Sequence, residues 1–165
     1  MAKPQPPPAL DDIDRRILAA LVENAELTNK ALAVRLGLAE STCAYRVRAL
    51  RASGIIRGVH LDLDLAALGC PLLAVVKVRL GSHDEVGVST LFDQLVAVPG
   101  VLRVLHVAGA DDFHLLMAVQ DAQALRDIVL RHVTVHRTVR STETQLVFEA
   151  RYGVGIPLVP DARST

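Results

Sequence analysis

From residue 10 onward the apolar positions recur with a helical period, and they do so three times. Ile13, Ile17, Leu18 and Leu21 fall on one stripe, the spacing of a helix with one buried face. Asp11 or Asp12 ahead of that stripe can cap it, and acidic side chains suit the positive end of a helix. A second, short helix follows Thr28, a good N-cap, with Ala31, Leu32 and Leu36 turned inward and Gly37 as its stop. A third runs from about Glu40 to Ala52 and ends at Gly54. Residues 55–63 then read as a short extended hairpin or wing.

After Gly69 the period shortens to that of strands. Strands are predicted over 72–80, 101–108, 113–120 and 142–150. Helices are predicted over 86–98, closed by Pro99 and Gly100, and from a cap at Asp121 to about His132. Gly109 to Asp112 form a turn between the middle two strands. The order βαββαβ is the split βαβ, ferredoxin-like arrangement. Its strands carry apolar residues on both faces, as in LLAVVKVRL and VLRVLHVAG. Two helices cover only one face of such a sheet, so the other is expected to pack on a second copy.

The expected fold class is therefore α+β: an N-terminal winged helix-turn-helix followed by a ferredoxin-like effector and oligomerisation domain. The expected boundaries are a disordered arm over 1–9, the helix-turn-helix over 10–58, a linker strand or wing over 59–71, the α+β domain over 72–152 and an irregular tail over 153–165.

Composition changes this picture only at the margins. The chain has 165 residues, 51% of them apolar but only 3% aromatic, so the core must be built from Val, Leu, Ile and Ala. Four prolines between Lys3 and Pro8 forbid a helix there, and no apolar signal segment precedes them. Net charge is zero, yet residues 1–60 hold nine basic and six acidic side chains, the rest nine and twelve. A basic N-terminal half is what a nucleic-acid module joined to something else would show. The two cysteines, Cys43 and Cys70, form no metal-type pair and point to reduced thiols in the cytoplasm. No apolar run is long enough for a membrane span, and no cofactor is expected.

The third helix carries the most specific chemistry. At 100° per residue, Cys43, Ala44, Val47 and Leu50 cluster inward. Ser41, Thr42, Tyr45, Ala49 and Ala52 cluster outward, with Arg46 and Arg48 flanking them on opposite sides. This suits a recognition helix: hydroxyls for base edges or phosphates, alanines that let it sit deep in the major groove, and guanidiniums for the groove walls. Arg57 on the wing can add a backbone contact. Arg51 lies nearer the buried side, where a structural ion pair competes with a DNA role. A merely solvated helix would carry Glu and Lys four apart, whereas Glu40 is the sole acid among four arginines here.

These residues resemble the leucine-responsive and asparagine-responsive regulators, the Lrp/AsnC family. LDDIDRRILAAL resembles the family's first helix. LTNKALAVRLGLAESTCAYRVRALRASGIIRG resembles its helix-turn-helix and wing. VPGVLRVLHVAGADDFHLLMAV resembles its effector-domain hairpin, and STETQLVFE its last strand. The match covers roughly residues 10 to 150 in order. It departs at Ala39, where the family often has Ser, and at VHRTV, where it often has Pro-Gly before the last strand. The resemblance implies a transcription regulator of double-stranded DNA, a homodimer that can grow to a tetramer or octamer, sensing a free amino acid between effector domains. It points to Gly109, Asp112 and Thr144 as effector contacts, and the carboxylates of Asp111 and Asp112 could hold an ammonium group, although Gly and Asp are also ordinary turn residues.

His60, His83, His106, His114, His132 and His136 show no metal-ligand spacing. His106 and His114 should fall on opposite faces of neighbouring strands. Cys43 reads as a small buried hydrophobe. No nucleophile, phosphate loop or carboxylate pair marks an enzyme. Two readings compete with the regulator. Some tetrapyrrole decarboxylases share the two-domain layout, and would need a basic pocket built from Arg103, His106 or His114. A helix-turn-helix that serves only assembly would show no salt-dependent DNA affinity.

Overall fold

The computed structural model describes residues 10–81, 85–153, 155, 156 and 158. The expected arm over 1–9, His83, and residues 154, 157 and 159–165 of the tail lie outside them. The described residues form two compact units. One holds those up to Leu61 and those from Tyr152 onward; the other is Asp62–Arg151.

The first unit contains α1 (Asp12–Glu23), α2 (Asn29–Leu36) and α3 (Glu40–Ala52). Local chemistry sets each boundary. Asp11 caps α1 and forms a capping box with Asp14, which satisfies two orphan N–H groups at once. The Thr28 hydroxyl accepts from the Ala31 N–H at 3.1 Å, and Gly37 closes α2 at φ 69°, where a side chain would be strained. The Arg16 guanidinium donates to the Leu36 carbonyl at 3.2 Å, occupying an acceptor left open at the end of α2.

Ile17, Leu18, Ala20, Leu32, Ala33, Cys43, Val47 and Leu50 form the buried core of this unit, and Leu158 of the tail packs against it. One inward assignment changes: Ala33 is buried and Ala31 is exposed. Ala31 is the third residue of α2, where its N–H faces the Thr28 cap and its methyl faces water.

The expected wing is not a hairpin, because no strand forms among residues 55–63. The Ile56 N–H returns to the Leu50 carbonyl at 3.0 Å, after which the chain runs without a ladder partner. A hairpin needs a return strand. Asp64 instead nucleates a tight turn, accepting from the Ala67 N–H at 3.0 Å. Val59, Leu61 and Leu63 are left exposed.

The second unit contains β1 (Leu72–Leu80), α4 (Glu85–Val96), β2 (Val101–His106), β3 (Phe113–Val119), α5 (Ala122–His132) and β4 (Val139–Val147). The sheet order is β2-β3-β1-β4, with antiparallel pairing throughout. This is the expected ferredoxin-like fold. Ala74, Val76 and Val78 of β1 and Phe113, Leu115 and Met117 of β3 face α4 and α5, meeting Leu91, Leu95, Leu125 and Val129 in one core.

Several boundaries move by one to three residues, and two of the shifts have a visible cause. Helix α4 stops at Val96 because the N–H groups of Ala97 and Val98 turn back to Gln94 and Leu95, three residues earlier, and tighten the last turn. Strand β4 begins at Val139 rather than 142. It follows β1 through a bulge at Arg79/Leu80, and the polar run Arg140-Ser141-Thr142 concealed its start.

The open sheet face is only half apolar. Cross-strand pairing sets Leu73, Val75, Leu116 and Val147 side by side at one end. Lys77, Arg79, His114 and Glu143 occupy the other. Lys77 pairs with Glu143 at 3.5 Å. The expectation of apolar residues on both faces therefore holds for half of this sheet, because the two cations of LLAVVKVRL both project outward.

Gly100 shows how closely the strands pack. Its φ is +81°, and a Cβ built there would lie 2.8 Å from the Ala118 carbonyl oxygen. Gly109 has φ +140° but open space around it. Gly100→Ala should therefore cost about 2–4 kcal/mol, adding a clash to backbone strain, and Gly109→Ala about 1–2 kcal/mol from strain alone. Urea denaturation of the two variants tests the order; equal losses would show that Ala118 yields.

Candidate nucleic-acid interface

Helix α3 presents its faces much as its sequence requires. Cys43, Val47 and Leu50 are buried. Ser41, Tyr45, Arg48, Ala49 and Ala52 are exposed and Thr42 is half-buried. Tyr45 stands 68% exposed, too much for a side chain whose role is packing. Arg57 is exposed five residues beyond the helix. Arg48 donates only to the Ala44 carbonyl of its own helix, at 3.3 Å, so its charge has no carboxylate partner among the described residues.

Arg51 also departs from expectation. It is exposed, and no ion pair holds it among the described residues. With Arg57 and His60 it lines the rim of an apolar groove of about 480 Å³ floored by Leu18, Leu21, Ile55 and Ile56.

Arg46 turns the other way. Its guanidinium bridges Asp11 at 2.5 Å and Asp14 at 2.9 Å, both at the start of α1. The Asp14 N–H, and after it the Arg46 guanidinium, hold the Asp11 carboxyl below its usual range. The two carboxylates raise the Arg46 value in turn. This contact joins residues more than thirty apart in sequence, which no helical wheel of α3 reveals. Asp11 and Asp14 are already accounted for as the capping box of α1, so the sequence carries no separate sign of this contact.

The N-cap position of α3 is Ala39, and no side chain caps this helix. Neither Glu40 nor Ser41 substitutes for the missing hydroxyl.

The four effector candidates do not converge within one chain. Asp111 is mostly buried and accepts from Arg79 at 3.5 Å and from His114 at 3.4 Å on the open sheet face. Asp112 holds the backbone together, since its carboxylate accepts from the Leu80 N–H at 2.7 Å. Its own N–H donates to the Val78 carbonyl at 2.9 Å. Gly109 supplies the positive φ of the turn, with no neighbour close enough to demand the missing side chain. Thr144 sits opposite Val76 in the register, which places it on the helix side of the sheet, away from Asp111. Arg79, not foreseen from the sequence, closes the turn by donating to the Ala110 carbonyl at 2.7 Å.

His106 pairs with Phe113 and stacks on its ring at 4.7 Å, whereas His114 pairs with Leu105. They occupy opposite faces, as expected. Among the described residues no group of His, Cys, Asp or Glu could hold a metal ion. No described helix is long and apolar enough to cross a membrane.

A three-helix module with an exposed hydroxyl-and-arginine helix face, joined to a ferredoxin-like sheet, defines a helix-turn-helix DNA-binding protein with an appended α+β domain. Residues 10–57 match the winged helix-turn-helix DNA-binding family model, and residues 73–152 match the Lrp/AsnC ligand binding domain. The chain is 42% identical over 140 residues to the HTH-type transcriptional regulator AldR of Mycolicibacterium smegmatis, covering 85% of this chain and 82% of that one. Its fold superposes on the crystal structure of MtbAldR with a TM-score of 0.79, at 35% identity, covering 90% of this chain and 98% of the other. It superposes on the transcriptional regulator NMB0573 of Neisseria meningitidis, solved as a complex with L-Met, with a TM-score of 0.82. That match has 26% identity and covers 91% and 97% of the two chains. The chain belongs to the Lrp/AsnC family of transcription regulators.

Two outcomes follow from the local geometry of α3. Ala39 has the extended backbone of an N-cap, φ −69° and ψ 143°. Ala39→Ser should therefore stabilise the chain by about 0.5–1 kcal/mol, read as a higher denaturation midpoint. Cys43 is fully buried, and burial pushes its thiol up, so little thiolate is available to react. Thiol titration of the native protein should modify Cys70 alone, with Cys43 reacting only on unfolding.

Proposed function

We propose that this chain binds specific double-stranded DNA as a homo-oligomer, with α3 as its recognition helix. The exposed face of α3 carries the proposal. Ser41, Thr42, Tyr45, Arg48 and Ala49 form a continuous outer surface, and Arg57 adds a cation beyond it. Tyr45 and the hydroxyls suit base edges, the two guanidiniums suit phosphates, and Ala49 lets the helix lie close.

Assembly is supported by the apolar half of the open sheet face. Two copies packed there back to back would form a dimer and carry two recognition helices, one for each half of a roughly palindromic site. Tetramers and octamers are further steps of the same association.

An amino-acid effector is supported by the matched ligand-binding domain and by the methionine complex of the Neisseria regulator. Asp111 and the Gly109 turn are its candidate contacts. Thr144 and Asp111 lie on opposite sheet faces, so a small molecule touching both must sit between copies. The protein acts in the cytoplasm, on the nucleoid.

The decarboxylase reading is not favoured. It needs a basic pocket built from Arg103, His106 or His114, whereas the matched winged helix-turn-helix over residues 10–57 and the exposed face of α3 speak for DNA. Arg103 and His114 lie on the open face, and His106 lies beneath the helices. The assembly-only reading leaves the exposure of Tyr45 and Arg48 without a use.

Binding to duplex DNA from the protein's own upstream region, titrated across salt, tests the reading. Wild type should bind that duplex more tightly than a scrambled one. Tyr45→Ala should weaken binding about tenfold or more. Arg57→Ala should lower the slope of log affinity against log salt by about one. No binding by wild type at any salt would falsify the proposal. The effector half has its own test: a panel of amino acids that leaves mass, melting temperature and DNA affinity unchanged removes it.

A further inference from the structure

We infer that Arg46 is a positioning residue, which sets the roll of the recognition helix by tying it to the first turn of α1, and is not itself a DNA contact. The inference rests on the DNA-binding reading of α3 and assigns one residue within it.

Four hydrogen bonds close on one another around this residue. Asp11 gives Oδ1 to the Asp14 N–H at 2.8 Å and Oδ2 to Arg46 at 2.5 Å. Asp14 gives Oδ2 to the Asp11 N–H at 3.4 Å and Oδ1 to Arg46 at 2.9 Å. Each carboxylate thus spends one oxygen capping α1 and the other on α3. The Arg46–Asp14 arm of the network is sheltered, with side chains 25% and 18% exposed, whereas Asp11 is 50% exposed.

Charge argues against a phosphate partner. One guanidinium between two carboxylates leaves this three-residue cluster net anionic. A phosphate approaching Arg46 would meet repulsion from the groups that hold it. Arg48, Arg51 and Arg57 have no carboxylate partner among the described residues and remain available to DNA.

Position argues for a positioning role. Arg46 follows Tyr45 directly, about 100° around the helix. Fixing Arg46 therefore fixes the angle at which Tyr45 leaves the protein surface. The N-terminus of α3 has no side-chain cap to do this, since Ala39 stands there. A polar tether in mid-helix makes up for the missing one at its end.

The test uses the full chain and one fixed duplex, with affinity followed by fluorescence anisotropy across salt. The variants are Arg46→Ala, Asp14→Asn and the double substitution. Asparagine keeps an acceptor for the capping box and removes the charge. Arg46→Ala should weaken binding about tenfold while the salt slope stays at the wild-type value, because no phosphate contact is lost. Asp14→Asn, which has no route to DNA, should weaken binding in the same direction. The double variant should be no worse than the weaker single one, the signature of a shared interaction.

A drop in slope of about one for Arg46→Ala would make Arg46 a phosphate ligand and overturn the inference. Tighter binding by Asp14→Asn would overturn it too, since the released guanidinium would then be serving DNA. Far-ultraviolet circular dichroism and melting curves separate these outcomes from unfolding, and Arg46→Lys gives a charged variant that keeps the helix. If wild type binds no duplex, the DNA reading fails and this inference falls with it. If wild type binds and only the slope prediction fails, the inference alone is lost.

Discussion

The Arg46 guanidinium, held between Asp11 and Asp14, is the one long-range polar side-chain tie between the first and third helices among the described residues. The exposed face of α3 depends on it or on the core beneath. That core has no aromatic side chain. Ile17, Leu32, Cys43, Val47 and Leu50 are all ring-free side chains. Packing of this kind keeps helices in contact but resists rotation weakly, because aliphatic surfaces have little direction. A directional contact adds what the core lacks. The same carboxylates start α1, so the first turn of one helix and the roll of another are set by a single cluster.

The ferredoxin-like sheet meets a different constraint. Its helices cover one face, and the other must contact water or a second copy. Leu73, Val75, Leu116 and Val147 favour a second copy at one end. At the other end Lys77 is paired with Glu143, and Asp111 with Arg79 and His114. Charges that already have partners within the chain lose less when a second surface arrives than isolated ones would. They also restrict how two copies fit, because only some registers avoid like-charge contact. In a back-to-back pair the apolar end would supply association and the charged end register.

Much of this was legible in the sequence, and the reason differs between elements. Helices α1, α2 and α5 announce themselves through local caps, Asp11, Thr28 and Asp121, each within three residues of the N–H it satisfies. The outer face of α3 follows from helical geometry alone. What stayed hidden depends on partners distant in the chain. Arg46 looks like a DNA contact until Asp11 and Asp14 are seen beside it. Arg51 looks like half of an ion pair, yet no acid among the described residues holds it. The start of β4 at Val139 is set by where β1 ends, not by its own polar residues. The segment after α3 alternates like a strand, in Val59, Leu61 and Leu63, but no described residue forms a ladder with it. For the effector candidates, the sequence places Asp111 in a turn and Thr144 in a strand without saying which face each takes.

That last point constrains how an effector can act. A ligand changes an equilibrium only through different affinities for its states. Because Asp111 and Thr144 take opposite faces of one sheet, the conformation of a single chain is not the variable such a ligand would read. Two or more copies can bring the two residues to one site, and its geometry changes with their relative placement. An effector that prefers one placement would favour one assembly over another. A two-fold regulator reads half-sites about one helical turn apart, roughly 34 Å, and a rigid recognition helix converts a small change in that spacing into a loss of contacts. Rigidity of α3 within each copy is then a condition for regulation as well as for binding. A helix free to roll would absorb a displacement and mute the signal, whereas one tied at Arg46 would pass it on.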